Sequence, residues 1–271
     1  MDFFDFREPI NTWTHFSWLL LSIPGTWLLW QRSRGDHQKQ VCFLIYGMSL
    51  ALCLASSALF HGVRAPAAWI EGFNRLDHIA IYVLIAGTYT PITSTLMKGW
   101  PKWAVLIVAW SFAAAGGIWI STQGMLPPRL STALYLTMGW GALYCYVQMA
   151  RFLSHRTLFP LILGGLLYSI GALLNVLHWP VVSPGVFEAH ELFHVFVMGG
   201  SLAHFWFMLV NVVPFDRAGK RPLPRPAHAP VPSRPHIPVS PGRIAGWRVH
   251  FLWISARGRQ TSENHRLPPS W

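Results

Sequence analysis

Charge is what this sequence has least of. Only 11% of its 271 residues are Asp, Glu, Lys or Arg, where a soluble domain carries about 25%. Acidic residues are scarcest, at ten. So little charge implies that much of the chain does not face water. Cysteine is also sparse. Cys42, Cys53 and Cys145 all fall in apolar runs, with no CxxC pair. Neither a disulfide framework nor a thiolate metal site is indicated.

What is abundant fits a lipid surrounding. Hydrophobic residues make up 52% of the chain, and there are 15 Trp, a residue that favours the membrane–water interface. About 20 consecutive apolar residues cross a bilayer as a helix. Seven such stretches occur, over residues 14–30, 41–63, 79–97, 103–122, 130–149, 157–175 and 190–213. Short separators rich in Arg, Lys, Pro and Gly divide them. Backbone groups in lipid must be satisfied internally, so helices and not open strands are expected. The predicted fold class is all-α, an integral membrane bundle of seven transmembrane helices in a multi-pass cell-membrane protein. The flank Met1-Asp-Phe-Phe-Asp-Phe-Arg-Glu is not positive and offers no small-x-small cleavage site. The first stretch therefore reads as a membrane helix and not as a signal peptide.

The domain organisation is a transmembrane domain over 1–213 and a tail over 214–271. The tail holds eleven prolines, ten Lys/Arg and two Asp/Glu. It cannot bury a core and is expected to be disordered. Of the net charge of +11, the tail supplies +8 (ten minus two). Such a tail beside a membrane meets anionic lipid headgroups, and no nucleic-acid partner is called for. Membrane lipids are the expected partners; the oligomeric state is not legible.

Polar and ionisable residues inside membrane helices are costly, which makes each one a functional candidate. Here they cluster. Ser57 and His61 sit four apart near the end of the second stretch, on one helix face. Asp77 and His78 open the third stretch. His190 and His194 sit four apart at the start of the seventh. With seven crossings, those three ends lie at the same membrane face as the N-terminal residues Glu8, Asn11 and His15.

Two histidines at i, i+4 can bind one metal ion, and His61 would make a third ligand. Three protein ligands with an open position is the layout of catalytic zinc. Imidazole suits Zn2+. Asp77 is then a candidate general base or an outer partner of a ligand, and Ser57 a hydrogen-bond donor to water or substrate. His78 is an alternative to His61. His204 falls on a helix face similar to that of His190 but about 20 Å deeper, which suits packing or a substrate pocket. His178 reads as a loop residue beside Trp179. A lone histidine in a membrane helix is more often a packed residue than a ligand; it is the convergence that favours metal.

These residues carry a resemblance. Asn11-Thr-Trp-Thr-His15, Ser57-Ala-Leu-Phe-His61, Arg75-Leu-Asp77-His78 and His190-Glu-Leu-Phe-His194-Val resemble the haemolysin III family, a bacterial branch of the progestin and adipoQ receptor (PAQR) group, over about residues 1–213. The resemblance implies seven helices and one zinc ion held by His61, His190 and His194, with Asp77 and Ser57 matching the family's Asp and Ser. Relatives include membrane proteins similar to metal-dependent lipid hydrolases such as alkaline ceramidases, which implies a lipid-like substrate. The alternative is a non-enzymatic receptor, a regulator of membrane homeostasis or a cytolysin with structural zinc. Orientation has two readings. Adiponectin-receptor relatives imply a cytoplasmic N-terminus. Loop charge, with Arg7, Arg64, Arg75 and Arg129 facing Arg32, Arg34, Lys39, Lys98, Lys102, Arg151 and Arg156, favours the N-terminus outside.

Overall fold

The structure is a computed structural model and describes residues 6–216. Residues 217–271, most of the basic tail, lie outside the described residues, so the expectation of disorder there is not addressed. Among the described residues the regular elements are all helices, apart from one isolated β-bridge between Ser183 and Phe187. The helices are α1 (Pro9–Arg32), α2 (His37–Gly62), α3 (Ala67–Leu96), α4 (Gly99–Gln123), α5 (Pro128–Trp140), α6 (Ala142–Met149), α7 (His155–Leu177) and α8 (Ala189–Phe207). A π-helical turn, Met208–Val212, continues α8.

Five of these are long and apolar enough to cross a bilayer: α2, α3, α4, α7, and α8 with its π turn. The other two crossings are less obvious. α1 has 24 residues, a length of about 36 Å at 1.5 Å per residue, but it carries Asn11, Thr12 and His15 on its buried side. α5 and α6 meet at Gly141 and together form one broken crossing. The protein is thus a seven-helix integral membrane bundle.

Local signals fix the helix ends. The Asp36 side chain accepts from Lys39 N at 2.9 Å and caps α2. Ser154 caps α7. Glu188 and Glu191 form a capping box at the start of α8. Lys39, buried at the opposite face, donates to the carbonyls of Val213 and Phe215 and so satisfies the end of the last helix.

One boundary differs from expectation in a way that matters. The third stretch was expected to open at residue 79, with Asp77 and His78 at its mouth. Helix α3 instead starts at Ala67, after Pro66. An i, i+4 ion pair between Glu71 and Arg75 supports the extra turns. Asp77 therefore sits nearly three turns into a helix whose φ/ψ fix its direction.

Packing follows the chain: α1 lies on α2, α2 on α3, α3 on α4, and α7 on α8, while α1 also touches α8. Small residues let backbones approach. A Cβ on Gly87 would fall 2.0 Å from Ser49 Oγ, and one on Gly171 would fall 2.6 Å from Phe196 Cβ. Large apolar side chains such as Ile107, Ile118, Phe159 and Leu173 point outward, as a lipid-facing surface requires. Trp69 and Trp179 are exposed at the face holding the start of α3, and Trp100 and Trp103 at the other, as in two aromatic belts.

Candidate metal centre

The end of α2 and the start of α8 bring three histidines together. Ligand atoms of His61, His190 and His194 all lie within 4.8 Å of one another. His61 and His194 are buried at 2% and 1% exposure. The Nε2 atoms of His61 and His190 are 3.4 Å apart.

The Nδ1 atoms settle which way the rings serve. Each faces an oxygen from another element. His61 Nδ1 is 2.6 Å from Glu8 Oε2. His190 Nδ1 is 3.1 Å from Asn175 Oδ1, at the end of α7. His194 Nδ1 is 3.3 Å from Thr14 Oγ1, whose own hydrogen goes to the Asn11 carbonyl at 2.9 Å. All three oxygens are acceptors toward the ring. Each neutral imidazole then carries its proton on Nδ1 and a bare lone pair on Nε2. Two such lone pairs facing each other at 3.4 Å repel unless a proton or a cation lies between them. The donor set therefore fits a metal ion, and the three rings could hold one.

Asp77 and Ser57 come to this centre from α3 and α2, where their side chains interact with each other. The His15 ring packs 4.0 Å from the His194 ring, and among the described residues neither of its nitrogens has a hydrogen-bond partner. Asn11 is buried and bridges two carboxylates, donating to Glu8 Oε2 at 3.0 Å and Glu191 Oε1 at 2.8 Å. The hydrogen bond with His61 holds the Glu8 carboxyl down at about 2, against partial burial that pushes it up.

His78, the sequence alternative to His61, stands outside the triad. Its Nδ1 faces the Asn74 carbonyl at 3.0 Å. His204 is well removed, its Nε2 donating to the Leu161 carbonyl at 3.2 Å. His178 ends α7 in a left-handed conformation, exposed in the loop to α8.

A cavity of about 290 Å³ starts at the centre and runs into the bundle. Ser57, Asp77, His190 and His194 line one part, and apolar residues such as Ile92 and Leu161, with His204, line the deeper part. Sequence reasoning placed Glu8 at this face without a role and missed Thr14, Asn175 and Glu191. A polar Asn175 inside a membrane helix was a usable signal. Thr14 offered none, because a threonine in a helix usually bonds its own backbone.

Comparison with known proteins shows the family. A family model described as haemolysin-III related matches residues 4–205. Hemolysin-3 of Bacillus cereus is 33% identical over 210 residues, covering 77% of this chain and 93% of that protein. A hemolysin-3 homolog of Bacillus subtilis is 35% identical over 213 residues, covering 78% and 97%. More distant is an ADIPOR-like receptor of Saccharomyces cerevisiae, 29% identical over 238 residues, covering 74% and 70%. The chain belongs to the haemolysin-III-related family of integral membrane proteins.

Proposed function

We propose that this protein is a zinc-dependent membrane hydrolase acting on an amide or ester of a lipid. One observation carries the reading. Ligand atoms of His61, His190 and His194 lie within 4.8 Å of one another, and the Asp77 carboxylate and the Ser57 hydroxyl line one mostly apolar cavity with His190 and His194.

His61, His190 and His194 would hold the metal, and imidazole ligands suit Zn2+. Bound there, zinc supplies Lewis-acid polarisation of a carbonyl and a lowered pKa for water. The remaining roles belong to the chain. Asp77, on α3, accepts the proton of the attacking water. Ser57 donates a hydrogen bond to the carbonyl oxygen as it gains charge. The proton held by Asp77 then passes to the departing amine or alkoxide, so the acyl bond breaks with one water consumed. The apolar walls at Ile92 and Leu161 suit an acyl chain and leave the polar linkage at the mouth.

The second reading is non-enzymatic: a receptor, a regulator of membrane homeostasis or a cytolysin in which the metal pins α2 to α8. It is favoured by the fact that α1 packs against both of those helices, so a metal joining them would close that corner of the bundle. The discriminating experiment is lipid hydrolysis by detergent-purified protein with ceramide-like and ester substrates, wild type beside Asp77→Asn. Turnover lost in the variant supports the hydrolase. Absence of turnover in a metal-loaded wild type favours the second reading.

A further inference from the structure

The three oxygens that face the triad's Nδ1 atoms are not equivalent. Thr14 and Asn175 are neutral, and both sit within helices of the bundle. Glu8 is an anion and precedes the first helix. It makes the shortest of the three contacts, 2.6 Å against 3.1 and 3.3 Å.

The lead-in that carries Glu8 is anchored to the end of α2. Glu8 N donates to the His61 carbonyl at 3.0 Å, and Arg7 N donates to the Gly62 carbonyl at 3.3 Å. The Arg7 guanidinium also donates to the Phe60 carbonyl. Asn11 then ties the carboxylate across to Glu191, on the turn of α8 between the two ligand histidines. Glu8 thus touches His61 directly and reaches the His190–His194 turn through one amide.

Electrostatics gives this arrangement a purpose. Three neutral imidazoles offset none of a divalent cation's charge, which leaves that to nearby carboxylates such as Asp77 and Glu8 at the edge of a low-dielectric medium. A carboxylate hydrogen-bonded to a ligand imidazole fixes its tautomer, makes it a stronger donor and offsets charge. Neutral Thr14 and Asn175 can do only the first of these.

We propose that Glu8 is a positioning residue whose carboxylate, held by Asn11 against Glu191, sets the metal affinity of the His61–His190–His194 centre. This inference rests on the metal-binding part of the proposed function, not on hydrolysis. The lead-in before the first membrane helix is then part of the metal centre, although it supplies no ligand.

The test uses the full chain in detergent and Zn2+ competition against a chromophoric chelator. Wild type, Glu8→Gln and Glu8→Asp are compared, with the visible spectrum of the Co2+-loaded protein as a second readout. Glu8→Gln keeps the shape and removes the charge. It is expected to weaken Zn2+ binding about 10–100-fold and to shift the Co2+ bands, with the thermal midpoint of the metal-free protein unchanged. Glu8→Asp keeps the charge at a longer reach and is expected to fall between; it also decides the matter if Glu8→Gln does not fold. Wild-type affinity in both variants overturns the role of Glu8 alone. A folded wild type that binds no Zn2+ overturns the metal-binding reading beneath it.

Discussion

His61 and His190 are 129 residues apart in the chain, yet their Nε2 atoms lie 3.4 Å from each other. Nothing local brings them there. His61 ends α2, and the i, i+4 pair His190 and His194 begins α8. Four crossings, an even number, separate those two ends, so they share a membrane face. Glu8, Asn175 and Thr14 face the Nδ1 atoms of the three rings, and ligand atoms of the rings lie within 4.8 Å of one another.

The first prediction separates binding from chemistry. Asp77→Asn is expected to keep the metal and to lower lipid hydrolysis about 100-fold or more, the range for loss of a general base. Ser57→Ala is expected to keep the metal and to lower turnover less, since one hydrogen bond is removed. Metal content and turnover measured on the same samples check both. Loss of metal in Asp77→Asn would make Asp77 a ligand instead.

The second concerns depth. His204 lies 14 residues along the last helix from His190, about 21 Å at 1.5 Å per residue. His204→Phe removes its bond to the Leu161 carbonyl, worth about 1 kcal/mol. Metal stoichiometry is expected to be unchanged, while preference among acyl-chain lengths shifts, because His204 lines the deep part of the cavity. Chelator competition and a chain-length series read these outcomes.

The third tests the packing that holds α8 in place. The new methyl group of Gly171→Ala would meet Phe196 Cβ at 2.6 Å, which a rotamer change cannot relieve. Overpacking of this kind costs about 1–3 kcal/mol. The thermal midpoint in detergent is expected to fall. Gly165→Ala, on the same helix with open space around it, is the control and is expected to change it little.

The number of crossings and the His190–His194 pair were legible in the sequence because both rest on simple periodicities, whereas spacing left His61 and His78 as alternatives for the third ligand. Apolar length sets a crossing, and spacing of four sets a helix face. The break at Gly141 within the fifth crossing was not legible, since Leu130 to Met149 reads as one apolar run. The early start of α3 was hidden because residues 67–78 are too polar to count as membrane-spanning, although only Gly72 among them opposes a helix strongly. The oxygens behind the histidines were the hardest to foresee. Glu8, Thr14 and Asn175 meet their partners only through tertiary packing of α1 and α7 against α2 and α8, and no spacing within one element encodes that.

The most direct measurement is the metal content of detergent-purified protein, wild type beside His190→Ala/His194→Ala, by elemental analysis. About one zinc per chain, lost in the double variant while the fold persists, is the expected result. A well-folded wild type without bound metal after exposure to Zn2+ would contradict it and leave His61, His190 and His194 as a packed polar cluster.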